Sequence, residues 1–91
     1  MSYQVKWTSR FKKDYKRMQS RGMDMSLLDK AIRLLASGET LPAEYQNHSL
    51  IGNYAGMLEC HIKPDWLLIY CYNHNVLVLT LARTGTHSDV F

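Results

Sequence analysis

Two hydrophobic periods divide the chain. Tyr3-Gln4-Val5-Lys6-Trp7 alternates apolar and polar residues and predicts a short strand. Thr8 or Ser9 can cap the helix that follows, along which Phe11, Tyr15 and Met18 recur at helical spacing until Gly22 ends it. Asp24 caps a second helix, Met25 to Ser37, whose stripe of Leu27, Leu28, Ala31, Ile32, Leu34 and Leu35 stops at Gly38. The short break between them predicts an antiparallel helical hairpin. Glu39 to Asn47 reads as a loop, with a helical turn at Pro42 to Tyr45.

After His48 the period changes to that of strands. Tyr54 to Ile62 puts Leu58, Cys60 and Ile62 on one face and Met57, Glu59 and His61 on the other. Glu59 is expected in solvent, which places His61 on an open face. Pro64 breaks the pairing and turns the chain. Trp66 to Tyr72 is continuously apolar, as a central strand would be; Asn73-His74-Asn75 is a tight turn, Val76 to Thr84 the last strand, and Ser88 to Phe91 a tail. A strand, two helices and a three-stranded meander predict one α+β domain over residues 1–91. Its helices should pack on one face of a mostly antiparallel sheet, leaving the other face for a site.

Composition adds limits. Ninety-one residues suffice for one packed core, and 46% hydrophobic with 21% charged is ordinary for a globular domain. No apolar run is long enough for a helical membrane span, and Met1 to Lys6 lacks the apolar core of a signal peptide, so a cytoplasmic protein is expected. Cys60 and Cys71 fall out of register about a turn at Pro64, where Cys60 faces Leu68, so buried thiols are expected rather than a disulfide. The net charge of +3 is unevenly spread. Lys6, Arg10, Lys12, Lys13, Lys16, Arg17 and Arg21, seven of the eleven basic residues, cluster around the first helix with only Asp14 among them. Such a block attracts a polyanion, an acidic protein, or only water.

The chemistry centres on His61-Ile62-Lys63-Pro64-Asp65-Trp66. If the second hairpin turns at His74, Arg83 faces Asp65, while His61 faces Leu67 beside Trp66. His87, beyond a Thr-Gly-Thr turn, can fold back over the same edge. Histidine suits proton transfer near neutrality, and arginine matches phosphate oxygens. Trp66, Phe91 and nearby tyrosines can stack on bases. Base, acid and cation around a phosphate describe metal-independent RNA cleavage by 2′-hydroxyl attack, with no cofactor. Plainer readings stand beside this one. An Arg83–Asp65 pair can be a cross-strand ion pair, His74 a turn residue and His48 a loop residue. His48, His61, Asp65 and His87 could ligate zinc, though at no standard spacing. Gly52 and Gly56 lack the setting of a phosphate loop.

His48-Ser49-Leu50-Ile51-Gly52, Gly56, His61 to Tyr70, and Arg83-Thr84-Gly85-Thr86-His87-Ser88-Asp89-Val90-Phe91 closely resemble the YafQ branch of the RelE/ParE toxin superfamily, over nearly the whole chain. The resemblance implies a RelE-like fold and a type II toxin, neutralised by a protein antitoxin, that cleaves mRNA in the ribosomal A site. It implies catalytic or mRNA-placing roles for His48, His61, Asp65, Arg83 and His87, with Trp66, Phe91 and Lys63 against the RNA. On this reading His87 is the acid, His61 or Asp65 the base, and Arg83 the stabiliser of the phosphorane. Arg10, Lys12, Lys13, Lys16 and Arg17 would meet ribosomal RNA. The chain departs from the branch at Tyr54, where tryptophan is frequent, and at Met57 and Cys71, where basic residues are. A ParE-like topoisomerase poison and a non-catalytic nucleic-acid-binding module are the alternatives.

Overall fold

The computed structural model describes residues 2–91. The alternating N-terminal segment is strand β1 (Gln4–Trp7), and the helical hairpin follows as α1 (Ser9–Ser20) and α2 (Met25–Ala36). Both caps are those expected: Thr8 Oγ1 accepts from the Phe11 N–H, and Asp24 from the Ser26 N–H. The Thr8 hydroxyl also donates toward the carbonyl oxygens of Leu81 and Ala82, which ties the start of α1 to the sheet.

The meander is β3 (Leu58–Lys63), β4 (Trp66–Asn73) and β5 (Val78–Gly85), after an edge strand β2 (His48–Ser49). The five strands lie in the order β1-β5-β4-β3-β2, with β1 parallel to β5 and the rest antiparallel. Two layers cover the sheet. Phe11, Met18, Leu28, Ile32 and Leu35 of the helices pack on Cys60, Trp66, Leu68, Tyr70, Leu79 and Leu81. On the other face Leu67, Ile69, Ala82 and Val90 form a smaller cluster roofed by Leu50, Tyr54 and Met57. That face is therefore only partly open. Its roof includes residues read as a tail, which instead form a helical turn, α3 (His87–Val90), closed by a Thr86–Asp89 capping box. Among the described residues no helix is long and apolar enough to cross a membrane.

The first hairpin has the expected register: Cys60 pairs with Leu68 and His61 with Leu67, and both cysteines are free. Burial pushes the Cys60 thiol up to about 12, so it is neither a nucleophile nor a ready ligand near neutrality. The second hairpin differs. Asn73 Oδ1 accepts from the N–H groups of Asn75 and Val76, and Leu77 takes a left-handed φ of 54°. The turn thus spans residues 74–77 between Asn73 and its partner Val78. With a bulge at Ala82 on β5, opposite Ile69 and Tyr70, the longer turn slides β5 so that Arg83 pairs with Ile69 and not with Asp65.

Candidate active site

The β3–β4 hairpin, the β2 edge and the β5–α3 turn bring three histidines into a row. The ring centroids of His48 and His61 are 6.1 Å apart, and those of His61 and His87 are 6.0 Å apart. Each imidazole is oriented by an oxygen acceptor. His48 Nδ1 lies 2.7 Å from the Gln46 carbonyl oxygen and His61 Nδ1 lies 3.2 Å from that of Pro64. A carbonyl only accepts, so both Nδ1 atoms carry hydrogen and both Nε2 atoms are left to do chemistry. His87 is held differently: Asp65 Oδ1 accepts from the His87 backbone N–H at 3.0 Å and from Nδ1 at 2.6 Å. These hydrogen bonds, the backbone one foremost, hold the Asp65 carboxyl below its ordinary range. Asp65 is thereby committed to orienting His87, whose Nε2 faces outward.

Glu59 is the residue the sequence reading misplaced. It is 4% exposed rather than solvated, and its Oε2 lies 2.9 Å from His48 Nε2 and 3.6 Å from His61 Nε2. Its Oε1 is buried without a partner. Alternation along β3 already put Glu59 on the face of His61; the edge pairing of His48 with Glu59 and the roof over that face are what bury it. Because His48 Nδ1 already donates to Gln46, the 2.9 Å contact must itself hold a proton on one atom or the other. The donor atoms of His48, Glu59 and His61 all lie within 4.8 Å of one another and could hold a metal ion. That set differs from the zinc set weighed as an alternative from sequence, because Asp65 and His87 engage each other instead.

Trp66 is also not where the sequence put it. Its side chain is 1% exposed in the helix-side core, and its indole N–H donates to Thr84 Oγ1 at 3.0 Å. An indole so enclosed cannot hold a base; alternation along β4 points residue 66 at the helices. Lys63 is exposed beside His61 and Pro64, lining a cleft with Lys30. Phe91 is 62% exposed, with its ring stacked 6.3 Å from His87 and set edge-on 5.4 Å from Tyr54.

Arg83 sits on the far side of Phe91. Its Nε donates to Asp14 Oδ2 at 2.7 Å and its Nη2 to the Asp89 carbonyl oxygen at 3.1 Å, while Nη1 lies 3.3 Å from the Tyr54 hydroxyl. The hydrogen bond to Asp14 keeps the guanidinium charged despite burial. Asp14, read as a stray acid among the bases of α1, is 2% exposed and also accepts from the Thr84 N–H and from Arg17. Asp89 takes Arg21 in two hydrogen bonds of 2.6 and 3.0 Å and lies 3.8 Å from Arg17. Arg17 is thus engaged in internal ion pairs rather than free for RNA, whereas Arg10, Lys12, Lys13 and Lys16 are exposed. The same network pins α3, and hence His87. At Gly85 a side chain would meet Asp89 Cβ at 2.8 Å, so that turn takes glycine.

Comparisons place this geometry among known proteins. The family described as "Bacterial toxin of type II toxin-antitoxin system, YafQ" matches residues 3–91. The mRNA interferase toxin YafQ of Escherichia coli is 36% identical over 88 residues, covering 96% of this chain and 94% of that protein. The crystal structure of the E. coli DinJ–YafQ complex matches with a TM-score of 0.89 at 36% identity, over 98% of each chain. A metal-bound toxin from Helicobacter pylori matches with a TM-score of 0.91 at 36% identity, over the whole of both chains.

Proposed function

The chain belongs to the YafQ family of toxins of bacterial type II toxin–antitoxin systems, and from that premise we propose how it acts as an mRNA interferase. It cleaves mRNA in the ribosomal A site by side-chain acid–base chemistry, and a protein antitoxin silences it, as a DinJ–YafQ complex suggests by likeness. Such a target places the protein in the cytoplasm.

One observation carries the mechanism: two histidine–carboxylate pairs face each other with His61 and His87 6.0 Å apart. His61 Nε2 takes the proton of the 2′-hydroxyl, and Glu59, its Oε2 3.6 Å from that nitrogen, stabilises the imidazolium that forms. The O2′ atom attacks phosphorus. His87, protonated and held by Asp65, gives its Nε2 proton to the departing O5′. The products are a 2′,3′-cyclic phosphate and a 5′-hydroxyl. His48 fixes the Glu59 carboxylate and shares its proton. Arg83 is a fixed positive charge near the phosphate, positioned by Asp14. Exposed Lys12 and Lys16 meet ribosomal RNA, Arg10 and Lys13 extend that basic surface toward the site, and Lys63 and Phe91 meet the message. No step needs a metal; one held by His48, Glu59 and His61 would occupy the nitrogen used as base.

The test is incubation with translating ribosomes and a defined mRNA. Cleavage within the A-site codon leaving a cyclic phosphate is expected. Intact message, or 5′-phosphate ends, would overturn the mechanism.

A further inference from the structure

Beyond Phe91 the site opens into a cleft of about 570 Å³ lined by Arg10, Ile51, Asn53, Tyr54, Arg83 and Phe91, among others. Arg10 and Arg83 also line an adjoining basic hollow of about 440 Å³ with Lys13 and Arg17, so the two form one groove along α1. Three features of this groove are unused by the catalytic row. First, Ile51 is 90% exposed and Phe91 62% exposed, so two large apolar side chains flank the opening with much of their surface in water. Ile51 is held outward: Leu50 donates its N–H to the Met57 carbonyl oxygen, and a 3₁₀ turn (Gly52–Tyr54) begins immediately after. Second, Arg10 and Lys13 have no ion-pair partner among the described residues, so the hollow is positively charged beyond what Asp14 neutralises. Third, Asn53 is exposed in the cleft and its amide makes no hydrogen bond among the described residues, whereas the Tyr54 hydroxyl is engaged, donating to the Val90 carbonyl oxygen at 2.7 Å.

We propose that this cleft is a nucleotide-reading subsite, taking the RNA nucleotide next to the cleaved phosphate; the assignment rests on the nuclease reading above. The base lies between Ile51 and Phe91, the next phosphate lies on Arg10 with Lys13 beyond, and the Asn53 amide reads the base edge. Single-stranded RNA is bound by this combination of stacking surface and cationic track. An amide that can donate and accept together discriminates between bases. Phe91 sets the register, because its other side stacks on His87, so the nucleotide it holds is adjacent to the one cut. The occupant is RNA rather than an acidic peptide because both ends of the cleft suit a nucleotide: apolar walls beside the acid, uncompensated cations at the exit.

Two measurements test this. In the first, ribosome-dependent cleavage is followed on messages varied one base at a time through the A-site codon. Asn53→Ala should flatten the preference at one position, by about tenfold or more in the ratio of kcat/KM between best and worst base, leaving the other positions as they were. Arg10→Ala should raise KM and lower the salt slope by about one. In the second, a 2′-O-methyl tetranucleotide, which cannot be cleaved, is titrated into the free protein. The Ile51 methyl and Asn53 amide NMR signals should shift, and Phe91→Ala should abolish both shifts. If cleavage fails while these shifts persist, the nuclease reading falls, and with it the cleft's place beside a cleaved phosphate, leaving only RNA binding there. If cleavage proceeds but Asn53→Ala keeps every base preference and no shifts appear, the subsite is refuted. Loss only of antitoxin binding in the Arg10 and Ile51 variants would refute it as well, assigning the cleft to a peptide.

Discussion

Asp14 is the most consequential acid outside the catalytic row. It is 2% exposed and receives the Arg83 Nε at 2.7 Å, the Arg83 Nη2 at 3.3 Å and the Thr84 N–H at 3.1 Å. In Asp14→Ala the Arg83 side chain, 9% exposed, stays buried with its charge uncompensated, and the Thr84 N–H loses its acceptor. Removing one partner of a buried pair costs about 3–5 kcal/mol. A domain of this size is stable by only about 5–14 kcal/mol, so the variant loses about a fifth of its stability or more. The melting temperature should fall by at least about 12 °C. Urea denaturation with an unchanged slope would confirm that the loss is one of stability and not of compactness. The companion variant decides the cause. In Asp14→Leu with Arg83→Leu both charges are gone, and apolar replacement of a buried pair is commonly near neutral; the buried Thr84 N–H is left unpaired, at about 1–3 kcal/mol, while the half-exposed Arg17 and the Asp89 carbonyl oxygen each lose one partner. The double variant should therefore be the more stable of the two, yet inactive, since Arg83 is absent. If Asp14→Ala cost less than about 1 kcal/mol, or the double variant were no more stable than it, the buried-pair reasoning would be wrong.

Other outcomes follow from the same geometry. His87→Ala and Glu59→Gln should each cut ribosome-dependent cleavage, the first by about 10²–10⁴ and the second by on the order of 10², with melting curves little changed for the exposed His87. Full activity in Glu59→Gln would mean that His61 works unaided. Trp66→Ala should cost about 3–5 kcal/mol and Trp66→Phe about 1 kcal/mol, through the lost Thr84 hydrogen bond. A selective rise in KM at wild-type stability would instead return Trp66 to the RNA. The hydrogen bond from Arg21 holds the Asp89 carboxyl below its ordinary value, so the stabilisation is present above about pH 4 and is lost as pH falls through the folded-state value. The Tm gap between wild type and Arg21→Ala should thus be widest at pH 5–7 and close towards pH 2. Cu²⁺, the tightest-binding of the common divalent ions, should bind through His48, Glu59 and His61 and inhibit, with EDTA restoring activity and His48→Ala weakening both effects.

The helices and the first hairpin were legible from the chain because local rules govern them: caps at Thr8 and Asp24, a stripe from Leu27 to Leu35, and a proline that sets the turn. What escaped were the outcomes decided by a distant partner. Arg83 and Asp65 were matched by counting from a turn at His74, but Asn73 caps a longer loop and β5 carries a bulge at Ala82, two small local choices that together move Arg83 opposite Ile69. A strand's side chains alternate without fail, so His61 and Glu59 could be put on one face from sequence. Whether that face was wet could not, because its roof is built from Leu50, Tyr54, Met57 and a tail that folds only when Asp89 finds Thr86 and Arg21.

The same reasoning explains why the charges of α1 divide as they do. A helix turn brings residues 14, 17 and 21 to one side, and there Asp14, Arg17 and Arg21 close onto Arg83 and Asp89 of the β5–α3 turn. Residues 10, 12, 13 and 16 find no acid among the described residues and stay in water. A basic block that looks uniform in sequence is therefore two devices. One half clamps the turn that carries His87, and salt should weaken it little, since its pairs are short and partly buried. The other half faces outward, and its contribution should fall steeply with ionic strength. Measured in the same salt series, cleavage by Arg21→Ala should keep the wild-type slope at reduced kcat. Lys12→Ala with Lys16→Ala should keep kcat and flatten the slope; an identical salt response from the two variants would mean that α1 acts as a single surface after all.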